Sequence, residues 1–225
     1  MNKHKAILFD LGGTLLYPDF PFLAEQLRRR GQEVSLDQFL YALSVASNRM
    51  DAYMQLHATT DATRVPVYIT YLLEALEVRT GIADLVEGVI IPRHQTVNFW
   101  NYLLEGTLPL LGRLRERYRL AMISNSDGRA EAKAVHLGIR PYLEFVMDSH
   151  LVGVEKPDPR IFHLACRQMN LDPSDCMYVG DIYSIDVLGA KAAGLQPVLI
   201  DRTGTPRQDC RVIRDVFELE AGSEA

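Results

Sequence analysis

Residues 176–200, CMYVGDIYSIDVLGAKAAGLQPVLI, hold the pattern on which the fold turns. Cys176-Met177-Tyr178-Val179 is a short apolar run broken by Gly180-Asp181. Residues 184–193 then follow a helical period that Gly194 stops, and Pro197-Val198-Leu199-Ile200 is a second apolar run. Strand, helix and strand in so short a stretch form a crossover unit, and a crossover joins parallel strands.

The alternation extends back to about Arg119. Leu120-Ala121-Met122-Ile123 reads as a strand, 129–137 as a helix ending at Gly138, and Phe145-Val146-Met147 as a strand. The next helix opens at Asp158-Pro159, an N-cap followed by a first-turn proline. At the start of the chain, residues 5–9 form another apolar run, which enters a tight loop at Gly12-Gly13. Five strands separated by helices predict an α/β fold: a doubly wound parallel sheet, Rossmann-like, with helices on both faces.

One stretch departs from this pattern. From about Phe20 to Leu103 apolar residues recur at three- and four-residue steps, as in Phe22-Leu23-Leu27, Phe39-Leu40-Leu43-Ala46-Met50 and Tyr68-Ile69-Leu72-Leu73-Leu76. Ser35 with Gln38 three residues later has the form of a capping box. These signals predict a compact group of about four helices. The boundaries follow: 1–15 and 104–225 make the core, and 16–103 a small all-helical domain inserted in it.

Bulk composition narrows the function classes. A chain of 225 residues, 48% hydrophobic and 24% charged, can bury a sizeable core. The formal net charge of −5 argues against non-specific nucleic-acid binding, and Arg28-Arg29-Arg30 reads as a solvated helix end. No apolar run reaches membrane-spanning length, and Asp10 interrupts the first one too early for a signal peptide. Cys166, Cys176 and Cys210 lack metal-ligand spacing and predict reduced thiols, so the expected location is cytoplasmic. His94 and His163 also lack such spacing, and the run around Phe99-Trp100-Tyr102 reads as packing. Nothing in the sequence selects an oligomeric state.

In an open parallel sheet, ligands bind beyond the carboxyl ends of the strands. Strand one ends in Asp10, strand two in Ser124-Asn125 and strand four in Gly180-Asp181. Lys156 follows strand three, and Asp186 lies in the first turn of the helix after strand four. Three carboxylates, a hydroxyl and an ammonium are therefore expected on one rim. Carboxylates that close repel one another unless a hard cation lies among them, and oxygen donors suit Mg²⁺. Lys156 adds the positive charge that an anion such as phosphate requires.

These residues fall into four short motifs: Phe9-Asp10-Leu11-Gly12-Gly13-Thr14-Leu15, Ile123-Ser124-Asn125, Glu155-Lys156-Pro157, and Val179-Gly180-Asp181 with Asp186. In this order and at these separations the chain resembles the haloacid dehalogenase-like hydrolase superfamily over residues 5 to about 200. The helical insert falls where that family carries its commonest cap. The resemblance implies hydrolysis of a small phosphorylated metabolite. Asp10 would be the nucleophile that takes the phosphoryl group as an aspartyl-phosphate. Ser124, with Asn125, would bind phosphoryl oxygens, and Lys156 would neutralise charge on Asp10 and phosphate. Asp10, Asp181, Asp186 and the backbone carbonyl of Gly12 would hold Mg²⁺, directly or through water.

Gly12 departs from the family pattern, which usually has there a second Asp that protonates the leaving oxygen and activates water. General acid–base catalysis is typically worth roughly 10²–10⁴-fold, so slow turnover is expected unless Tyr17, Asp19 or Asp127 supplies the proton. Gly12 also has a purely conformational reading, as a residue required for φ > 0. The alternative function is a non-catalytic relative that binds a phosphorylated ligand or a partner protein. Phosphonate cleavage would need a cap lysine, and no lysine occurs between Lys5 and Lys133. Metal-free dehalogenation would leave Asp181 and Asp186 without a purpose. From the insert, Arg49, Arg64 and Arg93 are candidate anion contacts.

Overall fold

The computed structural model describes residues 4–57 and 61–221. It divides into two compact units, one of Met1–Leu15 with Leu103–Ala225 and one of Leu16–Tyr102. Strand β1 (Ala6–Phe9) opens the first unit and is completely buried, as an unbroken apolar strand covered on both faces should be.

The inserted unit begins with β2 (Tyr17–Pro18) and ends with β3 (Trp100–Tyr102). The two strands pair antiparallel, Tyr17 with Tyr102 and Pro18 with Trp100, so entry and exit lie side by side. Between them run α1 (Phe20–Arg28), α2 (Leu36–Leu56), α3 (Asp61–Ala75), α4 (Ile82–Leu85), a π turn over Val86–Ile90, and α5 (Ile91–Val97). The capping box forms as read: Ser35 accepts the Gln38 N–H, and the Gln38 side chain accepts the Ser35 N–H. Arg28 and Arg29 pair with Glu25 on an exposed helix end. The helical period falls on the helices of this unit, and the β2–β3 ribbon adds to them. Strands of two and three residues are too short to leave a period of their own.

The chain then returns to the first unit through α6 (Thr107–Arg115), β4 (Arg119–Ser124), α7 (Ala130–His136), β5 (Val146–Asp148), α8 (Ser149–Val152) and α9 (Pro159–Met169). It continues with β6 (Cys176–Gly180), a π turn over Tyr183–Val187, α10 (Leu188–Ala192), β7 (Gln196–Ile200), β8 (Arg211–Ile213) and α11 (Glu218–Ala221). Six strands form a parallel sheet in the order β5-β4-β1-β6-β7-β8. The order reverses around β1, since the chain fills one side through β4 and β5 before crossing to β6. That reversal opens the crevice where ligands bind in such sheets. The sixth strand, β8, was not read from the sequence. It is a three-residue edge strand that begins with an exposed Arg211 after a polar loop, so it lacks an apolar run.

Alternate residues of the central strands face one core cluster. Ala6, Leu8, Ala121, Ile123, Cys176 and Tyr178 pack with Ile161, Phe162 and Ala165 of α9 and Ala190 of α10. Leu8 sits in register between Ala121 and Tyr178. The three cysteines are free thiols. Among the described residues, no helix is long and apolar enough to cross a membrane.

Candidate active site

Asp10 is the first residue beyond β1, and its N–H continues the ladder to the Val179 carbonyl at 2.8 Å. The chain must then turn sharply past the end of β6. Gly13 makes that turn with φ 78°, and a Cβ built there would lie 2.2 Å from Asp181 Oδ2. Gly180 meets a similar limit, since its Cβ would lie 2.3 Å from Asp186 Cγ. Both glycines let backbone approach a carboxylate. Among the described residues Gly12 is not one of the positive-φ glycines, so the conformational reading of that position falls away.

Asp10, Asp181 and Asp186 each offer a carboxylate oxygen within 4.8 Å of the other two. The Lys156 ammonium, 3% exposed, donates to Asp10 Oδ1 at 2.5 Å, Asp186 Oδ1 at 2.7 Å and the Tyr178 hydroxyl at 2.7 Å. An ammonium has three donors, and all three are used. Asp186 is equally committed, because its Oδ2 accepts the N–H groups of Asp181 at 3.1 Å and Ile182 at 3.0 Å. The expected helix over 184–193 therefore begins as a π turn, with Asp186 folded back over the preceding loop.

Burial pushes the Asp10 carboxyl up from 3.8 to about 6; the Lys156 ammonium pulls it back, and the Asp186 charge adds to the rise. For Lys156, burial works to lower the pKa, but the Asp10 and Asp186 charges outweigh it and hold the ammonium protonated. Burial, with the charges of Asp186 and Asp10, keeps the proton on the Tyr178 hydroxyl.

Ser124 is the last residue of β4 and 5% exposed; its hydroxyl has no hydrogen-bond partner among the described residues. Asn125 is placed differently from the expected phosphate contact. Its side-chain oxygen accepts the Lys156 N–H at 2.8 Å and its amide donates to the Lys156 carbonyl at 2.9 Å, so both ends are taken by backbone. Behind it, Asp148 accepts the N–H groups of Gly128, Ala130 and His150, pinning the loop that follows Ser124.

The substitute acids are also accounted for. The Arg129 hydrogen bond holds Asp127 down to about 2, which leaves it ionised and unable to donate a proton near neutrality. In the inserted unit Asp19 caps α1 and accepts from Arg93 at 2.6 Å and Asn101 at 3.2 Å. Tyr17 is buried in β2. Arg93 is thus already paired, and Arg49 pairs with Glu74 and stacks on Tyr71. His94 accepts the Phe99 N–H, and His163 bonds the Ala193 carbonyl.

Sequence reading missed Tyr178. Its ring satisfies an apolar strand position, so only the hydroxyl two residues before Gly180-Asp181 could have marked it.

Comparison with known proteins follows the same lines. Residues 4–194 match the family profile described as haloacid dehalogenase-like hydrolase. The chain is 30% identical over 220 residues to a glyceraldehyde 3-phosphate phosphatase of Methanopyrus kandleri, covering 96% of this chain and 92% of that protein. It is 40% identical over 206 residues to haloacid dehalogenase-like hydrolase domain-containing protein 3 of Homo sapiens, covering 87% and 81%. Among solved structures, the HAD hydrolase YfnB of Bacillus subtilis, bound to magnesium, matches with a TM-score of 0.66 at 18% identity over 99% of this chain and 100% of that one. At that identity the likeness concerns the fold alone.

Proposed function

The chain belongs to the haloacid dehalogenase-like hydrolases, and from that premise we propose a Mg²⁺-dependent phosphatase of a small phosphorylated metabolite, acting through an aspartyl-phosphate on Asp10. One observation carries the reading: three carboxylates converge within 4.8 Å with the Lys156 ammonium in contact with two of them. The set is left two charges negative, which a divalent cation balances. All-oxygen donors of this kind fit Mg²⁺, with Asp10, Asp181 and the Gly12 carbonyl as its direct holders. Asp186, whose oxygens also accept from Lys156, Tyr178 and the Asp181 and Ile182 N–H groups, is the third carboxylate of the set, holding the cation directly or through water. When bound, the cation supplies charge neutralisation that lets an anionic nucleophile approach a phosphate.

The chain's own residues do the rest. Lys156 covers Asp10 Oδ1, so Oδ2 is the oxygen that attacks phosphorus as the ester P–O bond breaks. The free Ser124 hydroxyl donates to a phosphoryl oxygen. Water then cleaves the acyl phosphate, returning Asp10 and releasing phosphate. Gly12 offers no proton to the leaving oxygen, so good leaving groups are favoured. The same gap supports a second reading, a relative that captures phosphorylated ligands without turning them over.

The deciding experiment is hydrolysis of p-nitrophenyl phosphate and glyceraldehyde 3-phosphate with and without Mg²⁺. The second ester is chosen because relatives bear that name. Mg²⁺-dependent release of phosphate that disappears in Asp10→Asn supports the phosphatase. Tight binding of phosphate esters with no release supports the second reading.

A further inference from the structure

We infer that Tyr178 is a positioning residue for this reaction: its hydroxyl holds the Lys156 ammonium at the meeting point of Asp10 and Asp186. The inference rests on the reading of Asp10 as nucleophile and names a residue outside the four motifs.

The strand period places Tyr178 on the face of β6 that packs against α9, where its ring meets Phe162 edge-on at 4.9 Å and 82°. It is completely buried, and every other residue of that core cluster is Ala, Leu, Ile, Phe, Met or Cys. Packing alone would be served by Phe. The hydroxyl stands at the polar edge of this apolar cluster, where three chain segments meet. It accepts from Lys156 Nζ at 2.7 Å, and its single proton has two acceptors at nearly equal range, Asp186 Oδ1 at 3.2 Å and the Ile123 carbonyl at 3.3 Å. Ile123 immediately precedes Ser124, so one phenol links the strand end bearing Ser124, the lysine and the fourth-motif carboxylate Asp186.

The consequence concerns the geometry of charge. Lys156 has three N–H donors and three acceptors, one of which is neutral. The neutral acceptor fixes the ammonium without taking up its charge, which stays available to Asp10 and an incoming phosphoryl group. Without the hydroxyl, one N–H of an ammonium that is 3% exposed has no partner, and the group shifts toward the carboxylates. An ammonium drawn over Asp10 Oδ2 would shield the attacking oxygen.

Tyr178→Phe keeps the ring and removes only the hydroxyl. In metal-free protein, nitrogen-15 NMR should show the buried Lys156 ammonium, assigned by its loss in Lys156→Met; in Tyr178→Phe its hydrogen exchange should quicken at least ~10-fold. With Mg²⁺ and p-nitrophenyl phosphate, kcat should fall about tenfold while KM moves less than about threefold, because the interaction matters to the transition state rather than to substrate capture. An unchanged ammonium signal, or an unchanged kcat, overturns the inference. Denaturant melts of wild type, Tyr178→Phe, Lys156→Met and the double variant separate positioning from general damage. The Tyr178→Phe loss should shrink when Lys156 is absent, and simple additivity would count against the proposal. A wild type that hydrolyses no ester sinks the phosphatase reading; the ammonium signal and the melts still decide whether Tyr178 holds Lys156.

Discussion

Gly12 stands two residues beyond the proposed nucleophile, and its backbone is not among the positive-φ glycines. It is half-buried, unlike its neighbours Leu11 and Gly13. A carboxylate can therefore be supplied there without backbone strain, which Gly13 could not accept at φ 78° with Asp181 against it. Gly12→Asp is expected to raise turnover of alkyl phosphates by about 10²-fold or more, within the range of general acid–base catalysis, and to raise aryl phosphates much less. Aryl oxygens leave without a proton, whereas alkoxides do not. Steady-state rates on p-nitrophenyl phosphate and an alkyl phosphate measure this directly, and an unchanged ratio between them would remove Gly12 as the limit on catalysis.

Strand ends and the loops after them are the elements that make the site. The loop after β4 and the loop bearing Lys156 are stitched together by the Asn125 side chain, which hydrogen-bonds both the N–H and the C=O of Lys156. Asn125→Ala strips both bonds and leaves two partly buried backbone groups to find new partners. Urea melts should show a loss of about 1–3 kcal/mol. A change within about 0.5 kcal/mol, ordinary for a surface substitution, would mean the clamp holds nothing. This clamp also marks how far the sequence could be read. Asp10, Ser124 and Asp181 were legible because each stands where an apolar run ends, whereas Lys156 and Asp186, farther along the loops and helix that follow, stood out through the motif resemblance. The partner of Asn125 was not, because it is a backbone 31 residues away, and backbone leaves no residue type to recognise. Tyr178 hides for the opposite reason: nearly all of it is the ring that an apolar strand expects. The short β8 and the β2–β3 ribbon carry too few residues for any period, while the long helical stripes of 20–103 and the buried central strands declared themselves.

At the scale of the whole molecule, an active site of this kind is a standing cost to the fold. As the proposed nucleophile Asp10 must be ionised, yet burial lifts its carboxyl from 3.8 to about 6 despite the Lys156 ammonium beside it. Between those two values the folded chain keeps a proton that the unfolded chain has released. Its contribution to stability is therefore full below about pH 4 and is lost as pH rises through about 6, the reverse of a carboxylate held down by a salt bridge. The rise from 3.8 to about 6 corresponds to roughly 2–3 kcal/mol. Asn at position 10 cannot ionise and carries no such slope. In chelator, the stability of the wild type relative to Asp10→Asn is expected to fall by that amount from about pH 4 to about pH 7, with little further change above it. Lys156 does not blur the window, because its raised pKa places its own titration far above neutrality. Urea melts of the two proteins across this range measure the difference. A relative stability that stays level or climbs with pH would mean that Lys156 compensates the buried Asp10 charge in full, and that the site costs the fold nothing before a cation arrives.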